Sequence, residues 1–240
     1  MNKPPKGALY LVPASLGESP LSYTLPTGAA EKVRGIRHFV VENAKAARAE
    51  LKRIEHPDPI RELFLEALPK QAQATALRQL LKPALDGFEM GLMSDAGVPA
   101  VADPGALLVR EAHQLGIRVV PLVGPSSLLL SLMASGLDGQ HFAFHGYLPV
   151  KEHERSGAIR ALEKESRQKH QTQLFIETPY RNEQMLQALM DTVSPGTRLC
   201  VARGVTTSDE WIQTRTAAEW KKVTLPKLDR IPTVFLMLAD

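Results

Sequence analysis

Two stretches decide the fold of this chain: Met90-Gly91-Leu92-Met93-Ser94-Asp95-Ala96-Gly97-Val98-Pro99 and Val119-Val120-Pro121-Leu122-Val123-Gly124-Pro125-Ser126-Ser127. In each, a short apolar run meets a loop of small residues, which predicts a strand, a loop and then a helix. Both loops open at the carboxyl end of a strand. In open α/β sheets, that edge is where helix N-termini and unpaired backbone amides meet and ligands bind.

Helix capping is the simplest explanation of the polar residues in these loops. Asp103 and Pro104 suit the N-cap and first position of a helix over residues 107–115, which Gly116 would close. Ser126 or Ser127 can cap the next helix in the same way. For Asp103 and for one of the serines, capping and ligand binding remain equally good explanations.

Capping does not explain why Ser94, Asp95 and Gly97 crowd a loop that already has a cap further on. Glycine allows close approach of a ligand to the backbone, and a carboxylate accepts hydrogen bonds from hydroxyls or an amine. The loop after the Met90 strand therefore predicts a ligand site.

The order of apolar and helix-prone segments predicts an α/β protein of two α/β domains, 1–138 and 139–240, divided near the glycine-rich segment 136–140. Alternating strands and helices favour a largely parallel sheet covered on both faces in the first domain. Strands are predicted at 8–12, 39–41, 90–93, 119–123, 141–144, 173–176, 199–202, 211–214 and 233–238, and helices at 29–37, 44–53, 107–115, 151–171, 182–190 and from Thr216.

Composition favours a soluble cytoplasmic protein. Of the 240 residues 44% are apolar, no apolar run approaches membrane-spanning length, and the first six residues lack the apolar core of a signal peptide. The net charge of +3 permits a polyanionic partner without requiring one. Cys200 is the single cysteine, so no internal disulfide forms, and its apolar surroundings predict a buried side chain rather than a nucleophile.

Several common site types are absent from the sequence. The loop after the first strand, Val12-Pro13-Ala14-Ser15-Leu16-Gly17, lacks the G-x-G-x-x-G of dinucleotide-binding domains, and neither a P-loop nor a G-x-S-x-G motif occurs. His141 and His145 have the spacing of two metal ligands, but no third ligand lies nearby in sequence, so no metal site is predicted.

The motif Ser94-Asp95-Ala96-Gly97-Val98-Pro99 with Asp103-Pro104-Gly105 and Gly124-Pro125-Ser126 resembles the tetrapyrrole (corrin/porphyrin) methylase superfamily of S-adenosylmethionine-dependent methyltransferases. Within it, the chain is most similar to the ribosomal RNA small subunit methyltransferase I branch, which methylates a ribose 2′-hydroxyl. Further matches are Leu9-Tyr10-Leu11-Val12-Pro13, Gly146-Tyr147-Leu148-Pro149, Phe175-Ile176-Glu177-Thr178-Pro179-Tyr180-Arg181 and Val201-Ala202-Arg203.

This resemblance implies the class III methyltransferase fold, two α/β domains with the cofactor S-adenosyl-L-methionine in the cleft between them, and a homodimer. The apolar residues Phe142, Phe144 and Tyr147 are the candidate dimer surface. By resemblance, the cofactor-binding residues are Leu16, Met93, Ser94, Asp95, Val98, Ser126, Ser127, Glu177 and Gly204.

The acceptor side departs from the branch pattern. Where the branch has Glu-Asp-Thr-Arg after the second strand, this chain has Glu42-Asn43-Ala44-Lys45. Glu42 is the first candidate for a catalytic proton acceptor, and Lys45, Arg48 and Lys52 share a helix face able to follow an RNA backbone. Small-subunit rRNA is the expected acceptor. A tetrapyrrole or other small acceptor, or cofactor binding without turnover, are the alternatives.

Overall fold

A computed structural model describes residues 5–69, 71 and 73–240, and its chain divides into two compact units after Ser126. The expectation that the chain starts without a signal peptide rests on its first six residues. Of these, residues 1–4 lie outside the described residues. The sequence predicts a boundary at residue 138, whereas the structure assigns the helix at 127–135 to the second unit. That helix packs on the second sheet, where the Thr214 hydroxyl donates to the Ser135 carbonyl at 2.6 Å.

Unit 1 contains a five-stranded sheet in the order β3-β2-β4-β1-β5, with every pair parallel. Because the strands are parallel, the loops that follow them lie along one edge of the sheet, which we call the loop edge. The elements are β1 (Ala8–Val12), α1 (Leu21–Thr24), α2 (Thr27–Arg34), β2 (His38–Val41), α3 (Ala44–Arg53), β3 (Phe64–Ala67), α4 (Ala74–Leu80), α5 (Lys82–Leu85), β4 (Met90–Met93), α6 (Ala106–Gln114) and β5 (Arg118–Pro121).

Both faces of the unit 1 sheet are buried. Along β2, Phe39 and Val41 join one apolar cluster while Val40 joins the other, as the two-residue repeat of a strand requires. Helix coverage of both faces is typical of parallel sheets and explains why β4 is apolar throughout.

Unit 2 has a mixed five-stranded sheet in the order β6-β7-β10-β8-β9. The pair β6–β7 is parallel, and the other three pairs are antiparallel, so β6, β7 and β8 end at the edge where β9 and β10 begin. The elements are α7 (Ser127–Ser135), β6 (Phe142–Tyr147), α8 (Glu152–Lys169), β7 (Thr172–Ile176), α9 (Asn182–Thr192), β8 (Arg198–Arg203), β9 (Trp211–Thr216), α10 (Ala217–Trp220) and β10 (Thr233–Leu238).

Aromatic side chains form the centre of the unit 2 core. The rings of Phe175 and Phe235 stack with centroids 6.0 Å apart, and the buried Trp220 indole donates to the Leu199 carbonyl at 3.0 Å. Cys200 is buried, and burial raises the pKa of its thiol to about 11. The thiol therefore stays protonated at neutral pH and is a poor nucleophile.

Among the described residues, no helix combines the length and the apolar character needed to cross a bilayer. The longest, α8, carries charged side chains along its length.

Candidate active site

The loops after β1 and β4 are joined by a pair of backbone hydrogen bonds. The Ala14 N–H donates to the Gly97 carbonyl at 2.8 Å, and the Gly97 N–H donates to the Ala14 carbonyl at 3.0 Å. Gly97 has a φ of +71°, and a Cβ there would lie 3.3 Å from the Leu16 side chain. Glycine at this position therefore brings Leu16 against the Asp95 loop.

The loop after β5 packs against the loop after β1. A Cβ on Gly124 would lie 2.2 Å from the Pro13 Cβ, so only glycine allows the two loops to approach so closely. Three of the four loops that carry predicted unit 1 site residues thus meet at the loop edge.

A buried carboxylate holds the first of these loops. Glu50 Oε1 accepts from the Ser15 backbone at 3.1 Å and from its hydroxyl at 2.8 Å, while Glu50 Oε2 accepts from Arg53 at 3.0 Å. Arg53 also donates to the Ser19 carbonyl at 2.6 Å. No sequence pattern pointed to Glu50, because its partner Ser15 is 35 residues away in the chain.

Glu42 lies beside the cofactor-site residues predicted after β4. Its N–H donates to the Met93 carbonyl at 3.0 Å, and its Oε2 accepts from the Asp95 N–H at 3.2 Å. The neighbouring Asn43 caps α3 by accepting from the Lys45 N–H at 2.9 Å. The candidate proton acceptor is therefore fixed to the same loop as Asp95.

Asp103 has a different role from the helix cap suggested by sequence. Helix α6 begins at Ala106 with Gly105 in the N-cap position, and no side chain caps it. Burial raises the pKa of the Asp103 carboxyl to about 6, and the negative charges of Glu42 and Asp95 add to the rise. A hydrogen bond with Ser94 lowers this pKa but does not cancel the rise. Three carboxylates therefore cluster at the loop edge.

The cluster carries negative charge without a countercharge. Within the described part of the chain, none of Glu42, Asp95 and Asp103 forms an ion pair. Such a group favours a ligand that brings its own positive charge or several hydroxyl donors.

The segment between Asp95 and α6 has an unusual backbone. Ala100 and Ala102 adopt φ values of +68° and +63°, and Gly105 adopts +133°. Each such alanine costs about 1–3 kcal/mol, and residues of this kind concentrate at ligand sites. A Cβ on Gly105 would lie 2.8 Å from the Leu92 side chain, so the turn into α6 also depends on glycine.

In unit 2, Glu177 follows β7 and is buried. Its Oε1 accepts from the Thr178 N–H at 2.6 Å and from Arg181 at 2.7 Å, whereas its Oε2 is buried with no hydrogen-bond partner among the described residues. Burial opposes ionisation, but the hydrogen bonds from Arg181 and Thr178 outweigh it and lower the pKa of this carboxyl. Glu177 is therefore an ionised carboxylate with one free acceptor oxygen.

Gly204 follows β8 at the same edge of the second sheet. Its φ is +56°, its N–H donates to the Pro232 carbonyl at 2.9 Å, and a Cβ there would lie 2.9 Å from the Asp209 backbone. Only glycine fits this turn without displacing the following loop.

The remaining predicted residues differ in what they can offer a ligand. The Met93 side chain is buried in the core, so only its backbone is available. Val98, Ser126 and Ser127 are half-buried. His141 lies 3.6 Å from Asp138 and His145 contacts Gln173, and the described residues contain no group of three potential metal ligands.

Comparison with known proteins identifies the family. Residues 28–220 match the family described as Tetrapyrrole (Corrin/Porphyrin) Methylases. The chain belongs to this family. The assignment made from the Asp95 and Ser126 motifs is thereby confirmed.

Two curated relatives of this chain are both named ribosomal RNA small subunit methyltransferase I. The Escherichia coli O157:H7 protein is 31% identical over 207 residues, 86% of this chain and 68% of that protein. The Vibrio cholerae protein is 38% identical over 140 residues, 58% of this chain. The matched region spans 47% of the Vibrio protein, about half its length.

The predicted two-unit α/β fold of the chain is also confirmed. The chain resembles the crystal structure of uroporphyrin-III C-methyl transferase from Thermus thermophilus complexed with S-adenosyl homocysteine, with a TM-score of 0.54. The two are 18% identical, and the match covers 97% of each chain. At this identity the likeness concerns the fold alone.

Proposed function

We propose that the chain is an S-adenosylmethionine-dependent methyltransferase that methylates a ribose hydroxyl of small-subunit rRNA. The observation that carries the proposal is the 31% identity to a ribosomal RNA small subunit methyltransferase I over 86% of the chain. An rRNA substrate would place the protein in the cytoplasm.

The loop edge of unit 1 fits the proposed cofactor. S-adenosylmethionine carries a positive sulfonium and an ammonium group, and its ribose offers two hydroxyl donors. The unpaired cluster of Glu42, Asp95 and Asp103 matches these groups in charge, and Gly97 lets a ligand approach the backbone. Leu16 and Val98 supply apolar contact, and Ser126 and Ser127 supply hydroxyls.

Glu177 and Gly204 are the proposed cofactor contacts of unit 2. The free Oε2 of Glu177 is a buried acceptor that costs stability unless a donor reaches it. An amine or hydroxyl of a ligand would supply that donor. Gly204 would allow the ligand to lie against the backbone after β8.

When bound, the cofactor supplies an electrophilic methyl group, which an in-line displacement transfers to the acceptor oxygen. The protein must then align the acceptor and accept its proton, because a ribose hydroxyl is a weak nucleophile while protonated. Glu42 is proposed for the proton, since its Oε2 is held by the Asp95 N–H and is not paired with a cation among the described residues. The pKa of Asp103, raised to about 6, makes this carboxyl a second candidate to exchange a proton near neutral pH.

The acceptor RNA is proposed to contact α3. This helix begins two residues after Glu42, and Lys45, Arg48 and Lys52 are all exposed on it. Residues spaced three and four apart lie on one face of a helix, so these three cations can follow a phosphate backbone.

A tetrapyrrole acceptor is the second candidate. The departure from the branch pattern at Asn43 and Lys45 favours this alternative.

The experiment combines calorimetric binding of S-adenosylmethionine with transfer of a tritiated methyl group to 30S subunits, to deproteinised small-subunit rRNA and to uroporphyrinogen. Transfer to RNA alone supports the proposal, and transfer to uroporphyrinogen alone contradicts it. Cofactor binding with no transfer to any acceptor would make the chain a non-catalytic relative.

A homodimer is also proposed, with fewer contact residues than the three aromatic residues expected from the sequence. Phe142 is 42% exposed on the edge strand β6, whereas Phe144 is partly buried and the strand register shifts before Tyr147. We therefore propose that Phe142 and the open edge of β6 form the two-fold contact.

A further inference from the structure

Two exposed tyrosines lie where the neighbouring strands β6 and β7 end, at one edge of the second sheet. Tyr147 ends β6 and pairs in register with Ile176, the last residue of β7. Tyr180 lies in the 3₁₀ turn Pro179–Arg181 that follows β7. Tyr147 is 59% exposed and Tyr180 67% exposed, so neither ring serves mainly to fill the core.

An arginine is fixed beside the Tyr180 ring. The Arg181 guanidinium carbon lies 5.3 Å from the centre of the Tyr180 ring, within cation–π range. The same guanidinium donates to Glu177 Oε1 at 2.7 Å, and the Glu177 side chain is only 1% exposed. The hydrogen bond to Glu177 is the largest cause of the raised pKa of Arg181. Smaller charge effects of Tyr180 and Tyr147 add to it, which agrees with both side chains lying near the guanidinium.

This edge of the sheet therefore carries two exposed aromatic rings and a planar cation that a buried anion holds in place. Tyrosine and arginine both stack on flat rings, and little side-chain freedom is lost when the arginine is already anchored. Proteins recognise unpaired RNA bases by stacking them on such side chains.

We propose that Tyr147, Tyr180 and Arg181 form a stacking platform for an unpaired base of the acceptor RNA. This inference rests on the proposed rRNA methyltransferase function. It adds that the substrate is read in a single-stranded or looped segment. The charge favours a base over a tetrapyrrole, because Glu177 already neutralises Arg181 and leaves little positive charge for a macrocycle bearing several carboxylates.

The test measures RNA binding without turnover. A fluorescein-labelled single-stranded 12-nucleotide oligoribonucleotide is titrated with the full chain and followed by anisotropy. Tyr147→Ala and Tyr180→Ala are each expected to weaken binding about tenfold, within the range for loss of one base–aromatic stack. Tyr147→Phe and Tyr180→Phe keep the ring and should bind almost as the parent chain does. Tyr23→Ala, at a tyrosine 72% exposed on α1, is the matched control and should change nothing.

Further readouts separate stacking from other causes. The alanine variants should keep the salt dependence of RNA binding, since no phosphate contact is removed. They should also keep the calorimetric affinity for S-adenosylmethionine and the mass measured by light scattering, which excludes damage to the fold or to assembly. A tenfold loss with the salt slope unchanged supports the platform.

Failure of this inference is distinguishable from failure of the proposed function. If the parent chain methylates rRNA and both alanine variants bind the oligonucleotide as well as the parent, the platform is wrong while the function stands. If the parent chain binds no RNA and the alanine variants lose affinity for uroporphyrin instead, both are wrong. Equal weakening by alanine and phenylalanine at both positions would also overturn base stacking.

Discussion

The N–H of Asp95 donates to the Oε2 of Glu42 at 3.2 Å, across 53 residues of sequence. This bond joins the loops after β2 and β4, whose strands are neighbours in the sheet. Since a backbone N–H is the donor, the bond positions Glu42 whatever the Asp95 side chain does. The two carboxylates can therefore be tested separately.

Asp95→Ala is expected to weaken S-adenosylmethionine binding by about 1.5–3 kcal/mol, the usual loss for a hydrogen bond to a charged group. The dissociation constant measured by calorimetry should rise by a factor of roughly 10 to 150. Asp86→Ala, at an exposed carboxylate next to α5, is the control. Unchanged affinity in a folded Asp95→Ala protein would make Asp95 a structural residue.

Glu42→Gln is expected to abolish methyl transfer while cofactor affinity stays within about twofold, because an amide oxygen can still accept from the Asp95 N–H but cannot take a proton. Single-turnover transfer to rRNA and calorimetry measure the two properties. Glu18→Gln, at an exposed carboxylate in the loop after β1, should transfer normally. Normal turnover in Glu42→Gln would remove this residue from the mechanism.

Elements with strong periodicity were predicted to within a few residues. Strands β1, β4 and β10 and helix α3 have the predicted bounds, because an apolar strand core or an N-cap marks their ends. Strand β3 was missed, because it has only four residues, too few to show a clear alternation, and most of its side chains are exposed. It is held at the sheet edge by pairing with β2, which sequence spacing does not reveal.

The sequence predicted which residues belong to the candidate site better than it predicted the contacts between them. The small residues around Gly97 indicate a loop against which a ligand can lie. Glu50 accepts from Ser15, and Asp103 lies near Glu42 and Asp95. Both arrangements depend on how loops that are distant in sequence come together in the fold. The helix cap suggested for Asp103 was wrong because Gly105 leads into α6 through a positive φ, so the Asp103 carboxylate does not cap the helix.

Asp103 should make stability fall as pH rises between about 4 and 6. Its pKa in the folded chain is raised from 3.8 to about 6, so the folded state binds the proton more tightly than the unfolded state over this interval. Asp103→Asn removes the cost of ionisation, and its gain in Tm over the parent should be larger at pH 7.5 than at pH 4.5. Asp86→Asn should show no such difference. An equal gain at both pH values would contradict the raised pKa.

The proposed dimer predicts twice the chain mass of 26.4 kDa in solution. Light scattering at micromolar concentration should give this value, and Phe142→Ser should shift the mass towards that of one chain, because it removes the exposed apolar contact on β6. Leu225→Ser, at another partly exposed apolar residue, is the control. A monomeric parent chain would exclude the dimer.

Lys45→Ala combined with Arg48→Ala is expected to weaken RNA binding and to flatten its salt dependence. Each phosphate contact on a single strand contributes about 0.7 to the slope of log K against log salt concentration, so two lost contacts should reduce the slope by about 1.4. The matched control is Arg160→Ala with Lys164→Ala, which removes two exposed cations at helical spacing on α8. The slopes are measured by anisotropy titrations of the same labelled RNA at salt concentrations between about 50 and 200 mM. Affinity that depends on phosphate contacts falls steeply over this range. A control pair that flattens the slope equally would mean that only net charge matters. An unaltered slope in the α3 pair would place the phosphate contacts elsewhere on the protein.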